Sequence, residues 1–188
     1  MRKIISFMHV SLDGFVAGPK GEMDWIRVDA AIFDFASFVT ESADVAIYGR
    51  VTYQMMEAYW PTAGDRPGAS KHDKEHSTWY NKVDKIVLSK SMVGQDIPRV
   101  TVVGDQLGAK IRAVKERPGK EIVIFGSPSA VHALMKEGLV DEFWLFVNPV
   151  LLGKGIPMFK DIEGRQALEL VFEKRFDSGV VALQYKTI

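Results

Sequence analysis

The chain has 188 residues, 47% of them hydrophobic, with Lys plus Arg and Asp plus Glu balanced at 24 each. That length fits one domain over residues 1–188 with a substantial core, and the zero net charge offers no field to draw the protein to nucleic acid or an anionic membrane. The absence of cysteine excludes disulfides, thiolate zinc sites and thiol catalysis, and suits a reducing compartment, so the expected location is cytoplasmic.

At the start of the chain, Arg2 and Lys3 precede apolar residues, but His9 and Asp13 break the run well short of a secretory or membrane segment. Ile4 to Val10 reads as the first strand. Ser11-Leu12-Asp13-Gly14 leaves it through a polar turn, and Gly18-Pro19-Lys20-Gly21 breaks the pattern again, which marks a mobile loop. His9, alone in an apolar strand, fits a hydrogen-bonded structural residue. A helix is expected over about Asp29 to Ser42, with Ile32, Phe35, Ala36 and Val39 as its buried stripe and Asp29 and Asp34 as solvated charges.

Asp44 to Tyr48 is the next strand, and Gly49-Arg50-Val51-Thr52-Tyr53 turns it into a helix that continues to about Tyr59. Trp60 to Ala69, rich in Gly, Pro and polar residues, reads as a surface loop, and Ser70 to Asn81 as a short charged helix. His72 and His76 are four apart on that helix, but no third ligand follows at metal spacing, so they read as surface residues. Strands at Lys85 to Leu88 and Val100 to Val103 follow, the first ending in Ser89-Lys90-Ser91. Leu107, Ile111 and Val114 line a helix stopped by Pro118-Gly119.

Glu121 to Phe125 is β-branched and aromatic throughout, as in a strand buried on both faces of a parallel sheet. Gly126 ends it, Ser127-Pro128 reads as an N-cap with proline at the first helical position, and Val131, Leu134 and Met135 give the helix its stripe. Strand-to-helix turns at Gly49 and at Gly126 to Ala130 would leave backbone amides free at two helix N-termini, where unpaired N–H groups and the helix dipole favour an anion. Arg50, which always carries charge and offers paired donors, is then placed for phosphate. Phe143 to Val147 is a further strand, closed by the loop Asn148 to Gly155. Leu168 to Phe176 and Val180 to Lys186 form a hairpin about Asp177-Ser178-Gly179. The whole is a single α/β domain with a mainly parallel central sheet, flanking helices and a C-terminal antiparallel hairpin.

The stretch GLVDEFWLFVNPVLLGKGIPMF resembles the reductase domain of riboflavin biosynthesis, within the dihydrofolate reductase-like superfamily. Ser11 to Gly14, Gly49 to Tyr53 and Val87 to Lys90 occur in the order that superfamily shows, so the resemblance covers nearly the whole chain. It implies NADPH as cofactor and a small-molecule substrate. Met8, His9, Ser11 and Asp13 would lie near the chemistry, with His9, Ser11 and Asp13 as catalytic candidates and Asp13 the best placed to bind the acceptor or relay a proton. The phosphates would sit at Gly49, Arg50 and Thr52 and at Gly126, Ser127, Ser129 and Ala130. Leu88, Ser89 and Lys90 would meet the 2′-phosphate, and Gly153 and Gly155 would let backbone approach the nicotinamide.

In folate reductases the helix at Asp29 to Ser42 carries the acid that assists pteridine protonation. Here that position falls between Ala30 and Phe33, so folate reduction should be poor. The expected activity is reduction of a small pterin- or pyrimidine-like heterocycle. The alternatives are the 5-amino-6-(5-phosphoribosylamino)uracil reductase of riboflavin biosynthesis and a nucleotide-binding module without catalysis. Family resemblance and the exposed edge of the terminal hairpin, with Phe172, Phe176, Val181 and Leu183, also imply a homodimer.

Overall fold

The computed structural model describes residues 1–188. Ten strands and five helices alternate along the chain: β1 (Ile4–Ser11), β2 (Phe15–Ala17), α1 (Ala30–Glu41), β3 (Ala43–Gly49), α2 (Arg50–Ala63), α3 (Lys71–Lys82), β4 (Asp84–Leu88) and β5 (Val100–Val103). There follow α4 (Leu107–Glu116), β6 (Glu121–Phe125), α5 (Pro128–Lys136), β7 (Glu142–Asn148), β8 (Ile156–Pro157), β9 (Leu168–Arg175) and β10 (Val181–Thr187). Eight strands form one sheet in the order β5-β4-β3-β6-β1-β7-β10-β9, and β2 pairs with β8 in a small second sheet. The six strands from β5 to β7 in that order run parallel, while β10 is antiparallel to both β7 and β9.

Alternation along β1 shows why it carries apolar residues on both faces. Ile5 and Phe7 enter a buried cluster with Ile32 and Val39 of α1 and Tyr80 of α3. Ile4, Met8 and Val10 enter another with Ile111 of α4 and Val131 and Leu134 of α5. Successive side chains of a strand point to opposite faces, so a strand covered by helices on both sides is mostly apolar on both.

Two local expectations are corrected. Trp60 to Ala63 is helical, with Pro61 inside α2. Proline removes a helical donor, but Trp60 packs with its ring centroid 4.1 Å from that of His76, and Asn81 Nδ2 donates to the Pro61 carbonyl at 3.0 Å. These contacts hold the last turn. Ser127 occupies the cap position of α5 but makes no capping bond, because its backbone is left-handed at φ 54° and its hydroxyl accepts the Gly49 N–H at 3.0 Å.

The segment after β1 is built into the fold through β2. Met158 N–H donates to the Gly14 carbonyl at 2.8 Å, and β2 pairs with β8. The two segments pass close together at Gly155: a Cβ there would lie 2.2 Å from the Ala17 carbonyl oxygen.

Candidate active site

Ligands of open α/β sheets gather at the carboxyl ends of the strands, and the sequence motifs converge on that edge. Gly49 at the end of β3 pairs with Leu88 of β4, and its amide reaches Ser127 beyond β6. On the other side Ser11 of β1 pairs with Asn148 of β7. The row therefore runs from Ser89 and Lys90, through Gly49 to Thr52 and Gly126 to Ala130, to the loops after β1 and β7.

The middle of this row is shaped for an anion. Neither α2 nor α5 has a side-chain cap or an acidic residue in its first turn, so both N-termini keep their positive end uncompensated. The turns abut: a Cβ on Gly49 would come within 3.1 Å of Ser129 Oγ, and one on Gly126 within 3.5 Å of Thr52 Cγ2. Ala130 N–H is spent on the Ser127 carbonyl at 2.9 Å and offers nothing to a ligand. Arg50 is exposed and donates to Gln54 Oε1 at 3.1 Å, one turn along α2. Lys90 is exposed beside the Ser89 and Ser91 hydroxyls, which lie 3.2 Å apart. Two adjoining uncapped helix starts, with cations at one end of the row, fit the phosphates of a dinucleotide.

At the other end, Asp13 and Ser11 form a clasp. The Ser11 hydroxyl donates to Asp13 at 2.6 Å and accepts the Phe15 N–H at 2.9 Å. Asp13 also accepts the amides of Leu152 at 3.1 Å and Gly153 at 2.7 Å. The Ser11 hydroxyl and these amides hold the carboxyl below the usual aspartate range. Asp13 thus ties the loop after β1 to the loop after β7, with both oxygens engaged in holding chain. Gly155, expected against a cofactor, spends its missing side chain on Ala17.

Behind this edge, between the sheet and helices α1, α2 and α3, lies a cavity of about 350 Å³. Two larger depressions are richer in charged side chains, one of them at the opposite ends of β3 and β4. Of the three expected catalytic residues, only His9 lines the cavity. Its ring stacks 4.9 Å from Phe146, and burial pushes its pKa down to about 4. Asn148 fixes its tautomer. Oδ1 of Asn148 accepts the Arg27 N–H at 2.8 Å, while Nδ2 donates to the Phe146 carbonyl at 3.0 Å and faces His9 Nδ1 at 3.4 Å. His9 Nδ1 is therefore the acceptor, and the proton stays on Nε2.

The opposite wall holds residues whose role the sequence concealed. His76, expected at the surface, is buried, and its Nε2 has no partner. Burial pushes its pKa down to about 3. His72 is half-buried and stacks on Phe33 at 3.9 Å, with Trp60 and Trp79 beside the pair. The available signal was the spacing of His72, His76 and Trp79 on one face of α3, a wet-looking helix whose apolar stripe is made of rings. Asp29, expected as a solvated charge, caps α1 by accepting Ile32 N–H at 2.8 Å. Asp34 turns away to pair with Lys71 at 2.8 Å.

A mainly parallel sheet of this order, ending in an antiparallel hairpin, with its turns aligned at one edge, is the dihydrofolate reductase-like fold. The chain belongs to the RibD C-terminal domain family, whose model matches residues 2–182. It is 33% identical over 186 residues to the uncharacterised protein YyaP of Bacillus subtilis, covering 98% of this chain and 94% of that one. Among solved structures it resembles a pyrimidine reductase-like protein from Corynebacterium diphtheriae, at TM-score 0.70 and 18% identity over 100% and 92% of the two chains. It also resembles the diaminohydroxyphosphoribosylaminopyrimidine deaminase/5-amino-6-(5-phosphoribosylamino)uracil reductase of Thermotoga maritima, at TM-score 0.68 and 15% identity, over 100% of this chain and 57% of that one.

Proposed function

We propose that the protein is an NADPH-dependent reductase of a small heterocyclic acceptor. The observation that carries this reading is the adjacency of the paired helix starts at Gly49 and Ser127 to the aromatic cavity beside β1 and β6. The amides at the start of α2 and α5 would hold the diphosphate, and Lys90, Ser89 and Arg50 the additional phosphate of NADPH. When bound, that cofactor supplies hydride.

The protein's own contribution is positioning and exclusion of water. The ring-lined cavity keeps the acceptor dry, and His9 presents Nε2–H to it as a fixed donor. With its pKa near 4, His9 is neutral at working pH and acts by orienting the acceptor. The Ser11–Asp13 clasp keeps the loop at Leu152 and Gly153 in register with β1, so Asp13 is a positioning residue in this reading. The Thermotoga reductase's name offers a ribosylaminopyrimidine phosphate as the alternative acceptor.

Calorimetric titration with NADPH and NADH tests the cofactor reading. A charge-assisted contact contributes about 1.5 to 3 kcal/mol, so Arg50→Ala or Lys90→Ala should weaken NADPH binding roughly ten- to a hundredfold and leave NADH little changed. Equal affinity of the unaltered protein for the two cofactors rejects it.

A further inference from the structure

We propose that the cavity between the sheet and α3 accepts a phosphate-free planar heterocycle, its ring lying along Phe33, Trp60 and His72 and its polar edge read by His9 and His76. The inference rests on the reductase reading and narrows its substrate. It separates this chain from a reductase whose acceptor carries a ribose phosphate.

The argument begins with charge. No lysine or arginine lines the cavity, and the charged residues that do are Glu41 and Glu75. Lys71, on the same helix as Glu75, is drawn to Asp34 at 2.8 Å, with Glu75 at 3.9 Å. The three imidazoles bring no compensating charge, since burial lowers the pKa of His9, His72 and His76 alike. A phosphate entering here would lose its water, meet no cationic donor and face two carboxylates. Buried anions persist only where they are paired.

The walls then define what does fit. Phe33 and His72 lie nearly parallel, at 11°, and Trp60 packs across the His76 ring. A flat ring extends such a row through stacking. Two imidazoles of the wall can serve the occupant's polar edge. His76 Nε2 is buried without a partner, and a buried polar group left unpaired is costly. His9 offers Nε2–H, because Asn148 commits its other nitrogen. The occupant is therefore an aromatic heterocycle with donors and acceptors on its edge and no phosphate.

The test uses tryptophan fluorescence in the absence of cofactor, since Trp60 and Trp79 form part of the wall. The probes are unconjugated pterin and 5-amino-6-ribosylaminouracil with and without its 5′-phosphate. Saturable quenching by pterin is expected, with the phosphate-free uracil riboside binding at least about tenfold tighter than its phosphate. His76→Phe should weaken pterin at least about tenfold, and His76→Gln, which keeps a donor and an acceptor, should recover part of that loss. Glu75→Lys, at an exposed position, should shift the ratio towards the phosphate. Tighter binding of the phosphorylated riboside, or no quenching by any probe, overturns the proposal. Because no cofactor is present, pterin binding without NADPH binding would refute the reductase reading alone, and NADPH binding without ring binding would refute the cavity's assignment alone.

Discussion

At the scale of single residues, two histidines of the cavity wall, His76 buried and His9 half-buried, make stability depend on pH in a calculable way. His9 and His76 are neutral in the folded protein down to about pH 4 and about pH 3, whereas in the unfolded chain they charge below about 6.5. Over that window the unfolded state binds more protons, so stability is full above about pH 6.5 and falls as pH drops towards the folded values. From pH 7 to pH 5 each should cost on the order of 2 kcal/mol. Urea unfolding at the two pH values measures the sum, and His76→Phe should remove about half of the difference. A pH-independent midpoint would show that the imidazoles are not buried neutral. His9 was legible as a candidate from its place at the end of the first strand. His76 was not, because a helix of Lys, His, Asp and Glu reads as wet, and only tertiary packing against Trp60 and Phe125 dries one face of it.

Among elements, the turns after β3 and β6 act as one unit through a single side chain. Ser127 is buried, and its hydroxyl takes the Gly49 amide. Ser127→Ala leaves that amide unpaired and should cost about 1 to 3 kcal/mol. Thermal unfolding would register the loss, and calorimetry should show weaker NADPH binding as the two helix starts lose their alignment. An unchanged melting temperature would refute the link. The strand-turn-helix succession itself was legible, since β-branched runs ending in glycine dictate it locally. The use of Ser127 was hidden, because the sequence cannot show that a cap residue will serve the neighbouring strand instead. Likewise Pro61 signals a break, and the contact that overrides it comes from α3.

For the whole molecule, the sheet is closed at neither end. All eight residues of β9 are exposed, among them Leu170, Val171 and Phe172, while Phe176 is buried in the core and unavailable to a partner. Such an edge invites pairing. We expect a homodimer of 21.0 kDa chains, detectable by light scattering across a dilution series. Val171→Lys should shift it to monomer, and a monomeric parent protein at micromolar concentration would refute the expectation.

The clasp at Asp13 has a further consequence for how the molecule opens. Leu12 N–H donates to the Val150 carbonyl at 2.9 Å, Gly153 N–H to Asp13, and Met158 N–H to the Gly14 carbonyl, so hydrogen bonds between the segments after β1 and β7 add to those within each. These cross-links should couple the fraying of the two segments into one opening unit. In amide hydrogen exchange, Leu12, Gly153 and Met158 should exchange with one common opening free energy, and Asp13→Asn should accelerate all three together. Independent rates would mean two separate flaps. With one common rate, this end of the site opens and shuts as a single gate.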